Sequence, residues 1–228
     1  MSLILASGSP RRRRLLSCLG LPFRVVVPDV DEDAPSATAP TPEEMAEALA
    51  GAKALSVARR EGGSLVLAAD TLVVDGETAL GKPHDAAEAL AMLRRLRGRE
   101  HRVITGLALV DSGRRAFRSG SPPPSGGGMD ADPFVLFTHA TTVVRMRPYG
   151  EEEIAAYIAR GEPFDKAGAY AIQDQTFRPV AAYQGCYCNV VGLPLRAVIR
   201  LLRQAGLDIT GEHLSGLPAE CAECRLPV

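Results

Sequence analysis

Short apolar runs bounded by turn residues alternate along this chain with helix-length segments. That alternation points to an α/β fold with a mixed central sheet flanked by helices. Residues 3–6 are a buried-strand pattern, after which Ser9 offers a helix cap and Pro10 a first helical position where its missing N–H costs nothing. Leu15, Leu16 and Leu19 share one face of that helix, and Gly20 closes it. "FRVVVPDV" reads as a strand, and residues 42–60 read as a helix with Met45, Leu49, Ala52 and Leu55 turned inward. "SLVLAAD" is a buried strand closed by Asp70, Asp75-Gly76 is a hairpin turn, and Asp85 with Glu88 forms the capping box of a helix ending at Gly98. Strands "HRVITGLALVD" and "FVLFTHATTVVRMRP", helix "GEEEIAAYIARG", strands near "FRPVAAY" and "CYCNVVG", and helix "LPLRAVIRLLRQAG" complete the series.

The chain of 228 residues is long enough to bury a sizeable core. A formal net charge of −1 argues against a general nucleic-acid binder, which carries a basic excess. No apolar run reaches membrane-spanning length and "MSLILAS" lacks the features of a signal peptide, so a cytoplasmic protein without membrane contact is expected. Residues 1–206 read as one domain, interrupted at 118–133 by a Gly/Pro-rich mobile loop between paired strands, and residues 207–228 as a tail.

The five cysteines, an odd number, fit a reducing compartment. Cys186 with Cys188 and Cys221 with Cys224 have spacings that a zinc site can use. A strand reading of "GCYCNVVGLP" and a loosely ordered tail "GLPAECAECRLPV" favour separate free thiols over a joint metal site.

The segment "SGSPRRRR" places four consecutive arginines, Arg11 to Arg14, on the first turns of a helix. The helix dipole makes each exposed cation there unfavourable by roughly 0.3–1 kcal/mol. Either the block is tolerated surface charge, or an anion binds there. A strand, a Ser-Gly-Ser turn and a Pro-started helix present a nest of backbone N–H groups suited to phosphate, with Ser7 adding a hydroxyl and Arg11 and Arg12 able to fork onto phosphate oxygens. Asp70, at the carboxyl end of an apolar strand, stands where α/β sheets gather ligands, although a turn cap has the same signature. Glu32 lies in the acidic run "DVDED", which reads as a solvated loop or as a magnesium partner shared with substrate phosphates. Lys53, Lys82 in "LGKPHD" and Lys166 in "FDKAGAY" could each be a phosphate contact, but taken singly each reads as ordinary surface charge. The histidines show no metal-binding spacing, and no GxSxG marks a hydrolase nucleophile.

Taken in order, "SGSPRR", "DVDE", "AADT", "GKP", "TG", "DKAGAYAIQ" and "VVGLPL" resemble the Maf-like nucleotide pyrophosphatase family over about residues 3–205. The resemblance implies two lobes around a deep cleft, in the architecture shared with inosine triphosphate pyrophosphatases. It implies hydrolysis of a nucleoside triphosphate between the α and β phosphates, with a divalent cation (Mg²⁺ or Mn²⁺). By the same resemblance Asp70 is the proton acceptor that activates water. Ser7, Arg11 and Arg12 belong to the phosphate loop, Lys53, Lys82 and Lys166 are cleft cations, and Glu32 joins Asp70 as a metal partner. Arg11, Thr71 and Gln173 resemble the branch acting on dTTP and UTP, in which the enzymes clear unwanted or modified nucleotides. Asp174 stands where the family has glycine, which suggests an altered path for the loop holding Gln173. A homodimer is the family-level expectation. The competing reading is a non-catalytic, nucleotide-binding regulator of septum formation.

Overall fold

The computed structural model describes residues 2–30, 41–115, 133–222 and 224. Glu32 and nearly all of the 118–133 insertion lie outside the described residues. In chain order the elements are β1 (Ser2–Ala6), α1 (Pro10–Ser17), β2 (Phe23–Val26), α2 (Pro42–Ala58), β3 (Ser64–Asp75), β4 (Thr78–Leu80), α3 (Ala86–Leu96) and β5 (Glu100–Arg115). They continue with β6 (Pro133–Met146), α4 (Glu151–Ala159), β7 (Val180–Gln184), α5 (Tyr187–Val191), α6 (Leu195–Gln204), α7 (Gly211–Ser215) and α8 (Ala219–Ala222).

The strands form one seven-stranded mixed sheet in the order β2-β1-β3-β5-β6-β7, with β4 paired to β3. β1 runs parallel to β2 and β3, while β3, β5, β6 and β7 pair antiparallel. Alternation along the strands divides the core. Leu3, Leu5, Leu65, Leu67, Leu107 and Leu109 face α1, α5 and α6. The intervening Ile4, Val66, Ala68, Ala108 and Val110 face α2. A third cluster, around α3, α4 and the far ends of β3 and β5, packs Val73, Leu93, Leu96, Val103, Ile154 and Phe177.

The local signals act as expected at several ends. The Ser9 hydroxyl accepts from the Arg12 N–H at 3.4 Å, and Asp85 accepts from the Glu88 N–H at 2.8 Å while Glu88 reaches back to the His84 N–H. Asp75 and Thr78 pair across the expected hairpin.

Three expectations are corrected. First, the inward face of α2 is Ala46, Ala50, Lys53, Ala54 and Val57, one residue out of phase from the larger side chains; Met45, Leu49 and Leu55 are half-buried and Ala52 is exposed. The cause is close packing. A Cβ on Gly106 of β5 would stand 2.2 Å from the Ala46 carbonyl carbon, so the helix backbone rests on the sheet and only small residues fit between. Second, Asp70 does not close its strand, because β3 runs unbroken to Asp75. It lies just beyond the end of β1, whose last residue Ala6 pairs with Ala68. Third, "CYCNVVG" is not a strand but helix α5, with Cys186 as its cap and Gly192 ending it in the left-handed region at φ 119°. The tail is not loose either: α7 and α8 fold back so that Cys221 and Cys224 are buried against the core.

The contact at Gly106 gives a direct test. Gly106→Ala should destabilise the protein by about 3 kcal/mol through overpacking, seen as a lower urea midpoint with an unchanged slope.

Candidate active site

The early end of β1 opens the site. β3 pairs with β1 as far as Ala68 and with β4 from Val73 onward. Between those pairings Asp70 and Thr71 sit on an edge that no described strand covers, and there they line a cleft of about 350 Å³. One wall is the β1–α1 turn with the start of α1; the other is the β4–α3 loop and the helical turns Pro163–Asp165 and Ala167–Ala169. Val190, Val191 and Gly192 at the end of α5 form the back.

The phase of α2 supplies the first functional contact. Because its small face lies on the sheet, Lys53 points inward, only 4% exposed, and its Nζ donates to Asp70 Oδ1 at 2.6 Å. The pair fixes the orientation of a carboxylate whose side chain is 14% exposed, at the floor of the cleft. Ser7, buried beside it, accepts from the Ser9 N–H at 3.1 Å, which shapes the turn entering α1.

The arginine block divides. Arg13 and Arg14 border a separate shallow hollow, while Arg11 and Arg12 enter the cleft. Arg12 is braced from behind: its Nε donates to the Gly192 carbonyl at 2.8 Å and its Nη2 to Thr71 Oγ1 at 3.1 Å. Thr71 in turn contacts Thr105 at 3.0 Å, and the Thr105 hydroxyl donates to the Asn189 carbonyl. Gly192 ends α5 at φ 119°, a backbone conformation that favours glycine, and so turns its carbonyl toward Arg12. Arg11 spans the cleft, donating from Nη1 to Asp165 Oδ2 at 2.7 Å and from Nη2 to the Asp165 carbonyl at 3.0 Å.

Lys166 donates to the other oxygen of Asp165 at 2.7 Å and to Glu162. Partial burial pushes the Asp165 carboxyl up, but the bonds from Lys166 and Arg11 outweigh it and hold it below the ordinary aspartate value. One carboxylate thus bridges cations from opposite walls. Lys82, in the β4–α3 loop, and Gln173 complete the lining. Asp174 does not displace Gln173 from the cleft; its carboxylate accepts from the N–H groups of Thr176 and Phe177 and from Arg160, which pins the following turn. Among the described residues of the lining, Arg11, Arg12, Lys53, Lys82 and Lys166 stand against Asp70 and Asp165, an excess of three positive charges. Such a surface takes a polyanion.

Ser7, Arg11, Arg12, Lys53, Asp70, Thr71, Lys82, Lys166 and Gln173 therefore share one cleft, and Glu32 falls outside the described residues. Sequence reasoning did not assign parts to Asp165, Thr105 or the Gly192 carbonyl. Thr105 lies in the "TG" motif and Gly192 in "VVGLPL", but their contacts with the arginines and threonines join positions far apart in the chain. For a divalent cation, Asp70 supplies a hard oxygen ligand. No described group of three or more His, Cys, Asp or Glu residues forms a ready-made metal site. That donor set fits an Mg²⁺-like ion held by one carboxylate together with substrate phosphates and water.

The profile described as Maf-like protein matches residues 2–205. The chain belongs to the Maf family. A relative from Thermomicrobium roseum, described as dTTP/UTP pyrophosphatase, is 50% identical over 226 residues, covering 99% of this chain and 94% of its own. One of the same description from Symbiobacterium thermophilum is 47% identical, covering 91% and 95%. The structure of a HAM1 protein from Coxiella burnetii overlaps 65% of this chain and 74% of its own, at 18% identity and a TM-score of 0.39.

Behind the cleft lining, Tyr170 hydrogen-bonds to His101 Nε2 at 2.8 Å, with His101 itself 3% exposed. Burial pushes His101 down to about 4, against a smaller opposing pull from Asp75. The folded protein therefore binds fewer protons than the unfolded chain between that value and the ordinary histidine value. The resulting stability is complete above pH ~6.5 and is lost as pH falls toward ~4, by about 1 kcal/mol per pH unit. His101→Gln, which retains a hydrogen-bonding side chain for Tyr170, should flatten that part of the stability profile in urea titrations at stepped pH.

Proposed function

We propose that this Maf-family chain hydrolyses dTTP and UTP to the nucleoside monophosphate and pyrophosphate, removing unwanted or modified nucleotides. The observation that carries the reading is the Lys53–Asp70 pair on the floor of a cleft lined by cations, in a chain whose relatives are described as dTTP/UTP pyrophosphatases.

Hydrolysis of a phosphoanhydride asks a protein to position the phosphates, offset their charge and accept a proton from water. Among the described residues of the lining the carboxylates are Asp70 and Asp165, and the two oxygens of Asp165 already hold Arg11 and Lys166. Asp70 Oδ1 is held by Lys53, so the carboxylate has a fixed aim and takes the water proton as the water attacks the α-phosphorus. Arg12, braced by Gly192 and Thr71, presents its guanidinium to phosphate oxygens without losing side-chain freedom on binding. Arg11, Lys82 and Lys166 offset the charge of the departing pyrophosphate. A bound Mg²⁺ or Mn²⁺ would supply further charge neutralisation, with Asp70 and, by the family resemblance, Glu32 as its protein ligands. Arg11, Thr71 and Gln173, which the resemblance associates with pyrimidine choice, border the same cleft. The reading includes a cytoplasmic location and a homodimer; among the described residues no helix is long and apolar enough to cross a membrane.

The non-catalytic regulator is disfavoured by the descriptions of the relatives and by an oriented carboxylate at the cleft floor. Pyrophosphate release from a panel of nucleoside triphosphates, with Mg²⁺ or Mn²⁺, should be fastest for dTTP and UTP. Asp70→Asn should lower turnover by about 100-fold or more while nucleotide binding persists, because the amide oxygen still accepts from Lys53. No release from any triphosphate would overturn the enzymatic reading.

A further inference from the structure

On the face of the sheet that carries α1, α5 and α6, two cysteine pairs distant in sequence meet. Cys186 caps α5 and Cys188 lies in its first turn. Cys221 lies in α8, and the Cys224 N–H donates to the Cys221 carbonyl at 3.2 Å, a turn that brings the second pair to one side. All four side chains belong to one buried core cluster, where the Cys186 thiol interacts with those of Cys188, Cys221 and Cys224 and the Cys188 thiol with that of Cys221. None forms a disulfide, and their exposures are 0%, 0%, 0% and 5% in chain order.

Hydrophobic packing does not account for this convergence. A buried cysteine behaves as a small apolar residue, and thiols are weak donors and weak acceptors, so gathering four of them adds little over alanine or valine. Four thiols gathered around Cys186 are the donor set that a tetrahedral metal takes. A Zn–S bond of ~2.3 Å places sulfurs roughly 3.8 Å apart. A zinc tetrathiolate carries two negative charges, and Arg196 stands beside the cluster with its Nε donating to the Cys221 carbonyl at 3.0 Å. Among the described residues no three His, Cys, Asp or Glu side chains are already spaced to hold a metal ion, so binding requires the cysteine side chains to move onto one centre.

We propose that Cys186, Cys188, Cys221 and Cys224 bind one zinc ion as a closed tetrathiolate that clips the C-terminal segment onto α5. Binding breaks four S–H bonds, forms four Zn–S bonds and releases four protons to solvent, with no change of oxidation state. The site is separate from the substrate cleft, and its oxygen-free donor set does not suit Mg²⁺ or Mn²⁺. It also has a structural consequence for the cleft. α5 holds these cysteines at its start, and its end supplies Val190, Val191 and the Gly192 carbonyl that braces Arg12. A clip at one end of this short helix steadies the cleft wall at the other.

The test is metal analysis of the full-length chain, purified under reducing conditions without a metal-affinity step and then dialysed with zinc and with excess Mg²⁺. The expected result is about one zinc per chain. Replacing zinc with cobalt should give the intense thiolate-to-cobalt charge-transfer absorption of a tetrahedral tetrathiolate. Cys224→Ser should weaken zinc binding by about tenfold or more, whereas Cys18→Ser, at the remaining cysteine, should not. Absence of zinc from the wild-type chain after zinc dialysis would overturn the proposal, as would iron with acid-labile sulfide in its place. Equal zinc retention by Cys224→Ser would overturn the four-cysteine assignment. The wild-type metal content and cobalt spectrum decide the question even where a serine variant does not fold.

Discussion

The site depends on a mismatch in strand length. β1 stops at Ala6 opposite Ala68, while β3 continues to Asp75. An uncovered strand edge inside a sheet usually invites pairing with another strand. Here it is bordered by the α1 turn on one side and by β4 on the other, which leaves a concave stretch at Asp70 and Thr71. The parallel arrangement of β1 and β3 places the start of α1 at that gap, so a helix terminus and a strand interior meet where an anion can bind. The remaining cleft residues are assembled around that stretch.

A second constraint is the spacing between α2 and the sheet. Gly106 lets the α2 backbone lie against β5, and the alanines of that face leave no room for large side chains. The helix is consequently rotated so that Lys53 enters the interior. A buried ammonium without a partner would be costly, and the nearby Asp70 carboxylate offsets that cost. Packing and chemistry are thereby coupled: a change in helix depth would move the one cation that aims the carboxylate. The opening arginines have a related logic. Arg11 and Arg12 are unfavourable at a helix start by local electrostatics, and both are bound to oxygen acceptors, Arg11 across the cleft to Asp165 and Arg12 from behind to Thr71 and Gly192.

Much of this was legible in the chain. The Ser9 cap with Pro10, the Asp85 cap and the Asp75-Gly76 hairpin are local devices, and each acts within a few residues of itself. The cleft residues expected from motif order converge wherever the structure describes them. The α2 face is not legible from hydrophobic size, because the close approach of the sheet selects for small residues there. The residues of α5 resemble a strand in sequence because a short run rich in valine and cysteine carries no decisive periodicity.

By itself the sequence determined the alternation of strands and helices, the helix ends and the set of charged residues available to bind a polyanion. These follow from propensity, capping and side-chain chemistry, which act over a few residues. Tertiary structure alone decided which arginines turn inward, that Asp165 joins Arg11 to Lys166, that Gly192 braces Arg12, and that the two cysteine pairs become neighbours. Those contacts join segments far apart in the chain, and they exist only because burial of the apolar sheet faces fixes the relative placement of elements whose sequences contain no reference to one another.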